Sequence, residues 1–242
     1  MTWGSNVPLT RTPDAHFLTE VRYKGTKVVS VSPDYAESTT SSDAWLNVKA
    51  GTDAALAMSM GHVILKEYYI DKETPYFKEY AKEFTDMPFL VRVEDINGTV
   101  QPGRFLNAKD LGRQEEGADF QMVLIDELTN EIVVPNGTMG ERHTHPEKWN
   151  LRLENRDTGA KIDPRLSVFD QREDVTIVKL PYFGDEEHEG IIERAIPTIT
   201  VQTVDGPVKV TTVYDLILAN YGIDRGIGGE VATAYTDDTP YT

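Results

Sequence analysis

Apolar positions along this chain recur at two periods, and the change falls near residue 94. Before it, helical and strand patterns alternate. Residues 7–12 read as loop. Thr12-Pro13-Asp14 then predicts a helix start, with Thr12 as N-cap, Pro13 where its missing N–H costs nothing, and Asp14 at the positive dipole end. Phe17, Leu18 and Val21 fall at helical spacing, and Gly25 stops the helix. A strand follows at 27–32, closed by Pro33-Asp34. This is the α-then-β part of a βαβ unit, whose first strand is expected upstream of Trp3 and therefore missing or cut short. The 38–42 Ser/Thr cluster predicts a polar turn or frayed helix, and Ala44-Trp45-Leu46 a second short apolar stretch. Thr52-Asp53 starts another helix, with Leu56, Met60, Val63 and Ile64 as its buried face. A helix at 75–84 and a strand at 89–93 complete this part.

Beyond residue 94 the period shortens. Strand-like pieces at 105–106, 122–125, 132–134, 175–180 and 198–204 are separated by Asn97-Gly98, Asn136-Gly137, Thr158-Gly159 and Asp205-Gly206 turns. The strongest hairpin signal is 199–204, Asp205-Gly206, 208–213. Acidic stretches at 112–119 and 184–190 read as exposed loops. Thr212 caps a last helix, with Val213, Leu216 and Ile217 as core and Gly222 as stop. The expected organisation is an α/β chain: a Rossmann-like βαβ nucleotide-binding segment at 1–93, an acidic β-rich insertion at 94–210, and a return to the α/β domain at 211–242.

Composition narrows the chemistry. The 242 residues carry 24 Lys+Arg and 40 Asp+Glu, a net charge of −16, and no cysteine. Disulfides, Cys-held zinc or iron–sulfur clusters and a thiol nucleophile are excluded within the chain. Residues 1–93 are nearly balanced, so most of the negative charge lies in the second part and repels a phosphate backbone. No nucleic-acid partner is expected. No apolar run approaches a spanning helix, and the start lacks a signal-peptide pattern.

Two windows point to a nucleotide. Trp3-Gly4-Ser5-Asn6 precedes a helix start, and Asp34 lies 21 positions after Pro13. A strand–loop–helix turn offers N–H groups to a phosphate, and an acidic residue about 20 positions on bonds a ribose hydroxyl. The competing reading is a plain βαβ unit, since G-x-G-x-x-G is absent. In the second window, Gly51-Thr52-Asp53, the Asp53 carboxylate either stabilises the helix dipole or accepts from a guanine N1–H and amino group. His143-Thr144-His145, flanked by Glu141 and Glu147, has strand spacing for a metal but reads as surface loop, as does 185–189. His16 lies beside the phosphate turn, and His62 reads as a structural histidine. No catalytic residue and no metal ligand is assigned.

Longer motifs carry a resemblance. Trp-Gly-Ser-Asn at 3–6, Thr-Arg-Thr-Pro-Asp-Ala-His at 10–16, Val-Ser-Pro-Asp-Tyr-Ala-Glu at 31–37 and Gly-Thr-Asp-Ala-Ala at 51–55 resemble the alpha (catalytic) subunit of the membrane-bound respiratory nitrate reductases. These are molybdenum enzymes of the DMSO-reductase superfamily. Asp86-Met87-Pro88, Pro181-Tyr182-Phe183-Gly184 and Thr211 to Gly222 extend the resemblance, which is looser at 94–175. It implies an internal fragment of a much longer subunit that reduces nitrate to nitrite at a bis-molybdopterin guanine dinucleotide. It further implies cofactor contacts from Gly4, Ser5, Asn6, Asp34, Gly51, Thr52 and Asp53. The molybdenum ligand and a [4Fe-4S] cluster are expected outside this chain, so the fragment alone is expected to be inactive. An iron–sulfur beta subunit and a haem-b membrane gamma subunit are the implied partners, at the cytoplasmic face of the membrane. Val48-Lys49-Ala50 departs from the family pattern. The alternatives are another superfamily oxidoreductase, such as a (per)chlorate, selenate or formate enzyme, and a non-catalytic nucleotide-binding or interaction module.

Overall fold

The structure, a computed structural model, describes residues 1–138, 152–182 and 190–228. The chain divides into two compact units, Met1–Ala57 and Met58–Thr242. The expected break between 93 and 94 instead falls inside a strand.

The first unit is a small parallel α/β layer. Strand β1 (Thr2–Trp3) pairs with β2 (Val29–Val31), Trp3 opposite Val31, and β2 pairs with β3 (Ala44–Leu46). The first strand of the βαβ unit is therefore present as Thr2–Trp3. The 7–12 segment is not all loop. Pro8 fits the first turn of a short helix, α1 (Val7–Thr10), and α2 (Thr12–Tyr23) follows after Arg11. Thr12 is thus the first residue of α2 and not its N-cap, because its hydroxyl donates to the Leu9 carbonyl at 3.1 Å. Gly25 ends α2 at φ +87°, as its position predicts. No residue of α2 is buried, and Phe17 is 58% exposed, so the periodic face of this helix is uncovered among the described residues. Of the two forms expected for the Ser/Thr cluster, the short helix is the one present, as α3 (Glu37–Thr40), with Ser38 and Thr39 buried. The buried apolar side chains of this unit are Val28 and Val31, so much of its cohesion is polar. The Asp43 carboxylate illustrates this by accepting the Val28 N–H at 2.8 Å.

Helix α4 (Asp53–Ile64) spans the division and continues as a π-helical segment, Leu65–Asp71. Met58 is its buried residue. Leu56 and Met60 are half-buried, and Val63 and Ile64 are exposed, because no described element covers that side. Gly61 faces the ring of Tyr221, into which any β-carbon would run. Gly61→Ala is therefore expected to lower stability by about 1–3 kcal/mol, the cost of overpacking. Urea unfolding followed by circular dichroism checks this, and an unchanged midpoint refutes it.

The second unit is built on a curled antiparallel sheet of order β10-β11-β12-β4-β5. Its strands are β4 (Leu90–Ile96), β5 (Thr99–Phe105), β10 (Asp174–Pro181), β11 (Ile191–Thr203) and β12 (Gly206–Thr212). Asn97 and Gly98 join β4 to β5 with φ of +56° and +79°, the positive angles a two-residue hairpin needs. Strand β12 pairs with β4, Thr212 opposite Leu90, so strands from either side of residue 94 share one sheet. Strand β11 is longer than the 198–204 signal and serves β10 with its first half and β12 with its second. Two short pairs are added: β6 (Leu124–Ile125) with β7 (Ile132–Val133), and β8 (Pro135–Asn136) with β9 (Arg152–Asn155).

Leu90, Leu106, Val123, Val168 and Val210 form the main core of this unit. Helix α5 (Pro75–Phe84) matches its pattern end to end. Helix α6 (Val213–Asn220) is capped as the sequence predicts, the Thr212 hydroxyl accepting from the Asp215 N–H. Its buried residues are Tyr214, Asp215, Leu218 and Ala219. The expected Val213, Leu216 and Ile217 are half-buried, because helices and sheet enclose the neighbouring face. His143, His145, Glu141, Glu147, the 184–189 loop and the last 14 residues lie outside the described residues.

Candidate functional site

At the carboxyl ends of β1 and β2 lies a cleft of about 320 Å³. Gly4, Ser5 and Asn6 form one wall, and the turn from Ser30 to Asp34 with Ala36 and Ser38 forms the other. Open parallel sheets place ligand crevices at this end of their strands. Gly4 adopts φ +65°, a left-handed turn that sends the chain from the strand end over the cleft. A β-carbon built on Gly4 or Gly51 meets nothing within 4 Å, so open space adjoins both backbones. Four of the residues expected in the site, Gly4, Ser5, Asn6 and Asp34, therefore line one cleft.

Local hydrogen bonds fix both walls. The Ser38 hydroxyl donates to the Ser5 carbonyl at 3.0 Å and accepts the Val7 N–H at 3.1 Å. The Asn6 amide donates to Glu37 Oε2 at 2.9 Å. That bond comes first among the causes that hold the Glu37 carboxyl below the usual carboxylate range. Asp34 is exposed, and its Oδ1 accepts from the Ser32 hydroxyl at 2.9 Å. The Trp45 indole donates to the Ser32 carbonyl at 2.9 Å and anchors the second wall to β3. Sequence reading missed the Ser38 and Glu37 clamps. The signal was the Glu37-Ser38 pair directly after the Asp34 turn.

Gly51, Thr52 and Asp53 are not among the residues lining the cleft. The turn reaches the same loop differently, since Asp53 Oδ1 accepts the Trp3 indole N–H at 2.5 Å. Gly51 is left-handed at φ +87°. The Thr52 hydroxyl donates to the Lys49 carbonyl at 2.6 Å, and the Thr52 carbonyl accepts the Leu56 N–H, opening α4. Asp53, in the first turn of α4, is exposed and keeps a second carboxylate oxygen. The segment at Trp3–Asn6 therefore meets the Asp34 turn across the shared cleft and the Gly51-Thr52-Asp53 turn through the indole bond.

The phosphate turn differs from its expected form. The helix after β1 is the four-residue α1, and its first N–H is taken by Ser38, because Pro8 draws the chain into a turn early. His16 does not line the cleft. It lies on exposed α2 with its ring 3.8 Å from that of Phe17. His62 is structural as expected, with Nδ1 2.7 Å from the Tyr221 carbonyl oxygen. Among the described residues, no group of three or more His, Asp or Glu is arranged to hold a metal ion.

The molybdopterin oxidoreductase family model matches residues 1–212. The chain is 50% identical over 242 residues to the nitrate reductase alpha chain of Bacillus subtilis (strain 168), covering all of this chain and 20% of that protein. It is 45% identical over 253 residues to the respiratory nitrate reductase 1 alpha chain of Escherichia coli (strain K12), covering 99% of this chain and 20% of the relative. Perchlorate reductase subunit alpha of Dechloromonas aromatica (strain RCB) is 39% identical over 140 residues, covering 58% of this chain and 14% of the relative. The chain thus spans about a fifth of the length of the nitrate reductase chains it resembles.

Proposed function

Because the chain belongs to the molybdopterin oxidoreductase family, and with it to enzymes that carry a molybdenum–pterin cofactor, we propose that its first unit cradles the nucleotide end of a bis-molybdopterin guanine dinucleotide in a nitrate-reducing enzyme. The observation that carries this reading is the cleft shared by the loop after Trp3 and the carboxylate closing β2. Its polar lining and the open space beside Gly4 and Gly51 fit a nucleotide. In this reading Gly4, Ser5 and Asn6 lie along one cofactor arm. Asp34 accepts from a ribose hydroxyl, and Gly51 and Thr52 shape the turn that presents Asp53 to the guanine N1–H and amino group. When bound, the molybdenum supplies two-electron oxygen-atom transfer, turning nitrate into nitrite. The residues of this chain bind and orient the cofactor.

The nitrate assignment follows the similarity to nitrate reductase alpha chains over 99–100% of this chain, against 58% for the perchlorate relative. The relatives are named as alpha chains, which supports partner subunits. We assign these as an iron–sulfur beta subunit and a haem-b gamma subunit, with a [4Fe-4S] cluster and the molybdenum ligand held outside this chain. No helix among the described residues is long and apolar enough to cross a membrane. In this reading, attachment to the cytoplasmic face runs through those partners.

Calorimetric titration of the chain with guanosine and adenosine monophosphates tests the nucleotide step. Guanosine monophosphate is expected to bind more tightly by about 1–3 kcal/mol, the penalty for leaving a buried or charged acceptor without its donor. Equal affinity for the two bases, or no binding of either, overturns the assignment of Asp53.

A further inference from the structure

Helix α5 has two unlike faces. One, with Ala81 fully buried and Phe77 half-buried, packs into the core of the Met58–Thr242 unit beside Tyr69 and Leu218. The other carries Tyr76, Tyr80 and Phe84 four residues apart, so they stack along one side of the helix. They are 68%, 48% and 61% exposed. Their rings form a row, with centroids 6.3 Å apart from Tyr76 to Tyr80 and 5.2 Å from Tyr80 to Phe84. Phe77 extends the row to the exposed Tyr68 on the π-helical segment, 5.7 Å from Tyr76 and 5.3 Å from Tyr68. A single exposed ring is ordinary, whereas a contiguous aromatic row marks an interaction surface. Nothing among the described residues covers it.

Charge says what fits there. Glu79 and Glu83 stand three residues after Tyr76 and Tyr80 and flank the row on the same helix. Neither makes an ion pair with any described residue. The lysines of the helix are engaged elsewhere, Lys78 with Glu73 and Lys82 with Glu127 and Asp163. The outward face is therefore aromatic and negative. One ring of the row already holds a cation, since Lys72 Nζ lies 4.4 Å from the Tyr68 centroid. Arginine suits the open rings best, because its planar guanidinium stacks on an aromatic face and bonds a carboxylate with two parallel N–H groups. We infer that the Tyr76, Tyr80 and Phe84 face of α5 is a subunit interface that seats an arginine-bearing segment of a partner chain.

The inference rests on the partner subunits proposed above. Other occupants fit less well. A second copy would bring the same two glutamates and the same net charge of −16 against themselves. An anionic lipid surface is repelled for the same reason. Burial inside the subunit's own core would strand two carboxylates and two tyrosine hydroxyls. Interfaces between chains tolerate such groups, being rich in aromatic side chains and arginine at the centre and wet at the rim.

Hydroxyl-radical footprinting, read by mass spectrometry on the isolated alpha subunit and on the assembled enzyme, tests the interface. Oxidation of Tyr76, Tyr80 and Phe84 is expected to fall about fivefold or more on assembly, as for side chains at the centre of an interface. Protection already in the isolated subunit means that its own chain covers the face, and exposure in both means that nothing does; either overturns the inference. Calorimetry on the 242-residue chain tests the chemistry, with deca-arginine and deca-lysine as probes of equal charge. Deca-arginine is expected to bind more tightly, and Tyr76→Ala, Tyr80→Ala and Phe84→Ala combined to weaken it about tenfold, the loss of three exposed cation–π contacts. Equal binding of the two peptides, or unchanged binding by the triple variant, reduces the attraction to bare charge and overturns the inference. So does a dimer in sedimentation velocity that the triple variant dissociates, since a second copy is then the occupant. Molybdenum content measured on the same enzyme separates the readings, because a full cofactor complement with an exposed row fails the interface alone.

Discussion

Asp215→Ala is expected to lower the unfolding free energy of the Met58–Thr242 unit by about 3–5 kcal/mol, the range for breaking a buried ion pair from one side. Asp215 is fully buried. Its two oxygens accept from the Ser167 hydroxyl at 2.6 Å, the Val168 N–H at 2.9 Å, the Thr212 hydroxyl at 2.9 Å and Arg225 Nη1 at 2.6 Å. One carboxylate thus ties the start of α6, the segment before β10 and the segment after α6. Removing it leaves Arg225, whose side chain is 10% exposed, without its counter-charge, and strands three further donors. Asp215→Asn keeps the shape and part of the acceptor set and is expected to cost about half as much. Adding Arg225→Met to Asp215→Ala should recover part of the loss, a coupling that a double-mutant cycle reads directly. Urea unfolding followed by far-ultraviolet circular dichroism measures all three. An Asp215→Ala loss below about 1 kcal/mol would mean that water replaces the carboxylate and the network is not structural.

The second large effect is on cofactor retention. In the holoenzyme that contains this segment, Asp34→Ala and Asp53→Ala are each expected to weaken cofactor binding by about 1–3 kcal/mol, roughly 5- to 150-fold. Molybdenum content and released guanine nucleotide per subunit report the loss. Both carboxylates are exposed in the first unit, so stability should change little. Asp53 needs one control, because it also accepts the Trp3 indole. Asp53→Asn keeps an oxygen for the indole but presents a neutral amide to guanine. Loss of cofactor in both Asp53 variants assigns the effect to the ligand. Loss in the alanine variant alone assigns it to the Trp3 contact. Normal cofactor content in all three variants would remove the basis for the nucleotide cradle.

Local signals carried much of the fold. Thr212 reads as a helix cap and acts as one, Asn97-Gly98 reads as a turn and joins two paired strands, and Asp205-Gly206 reads as a hairpin and is one. These depend on a few adjacent residues with backbone requirements that few others meet. Burial was harder to read. Phe17, Val63 and Ile64 have helical spacing yet stay exposed, because periodicity marks a face without saying what covers it. The division at 57/58 was hidden for a related reason. Strand β4 reads like the end of the first pattern but pairs with β12, more than a hundred residues later, and no local signal encodes that partner. The π-helical turn at Leu65–Asp71 left no trace in the spacing.

The candidate site divides the same way. Gly4, Asn6 and Asp34 were legible because a left-handed glycine and a strand-ending acid have few structural alternatives. Asp53 was legible as a dipole partner, but its bond to Trp3, fifty positions away, was not.

The curl of the antiparallel sheet also decides how the chain meets its own copies. Strands β5 and β10 end the hydrogen-bonded order, yet they run close to each other. A flat sheet of this size would leave two long rails of unsatisfied backbone groups ready to recruit further strands. Here each rail faces the other, so an approaching chain finds little room to extend the ladder. The bend that shapes the core thus leaves less open edge than a flat sheet of the same strands would.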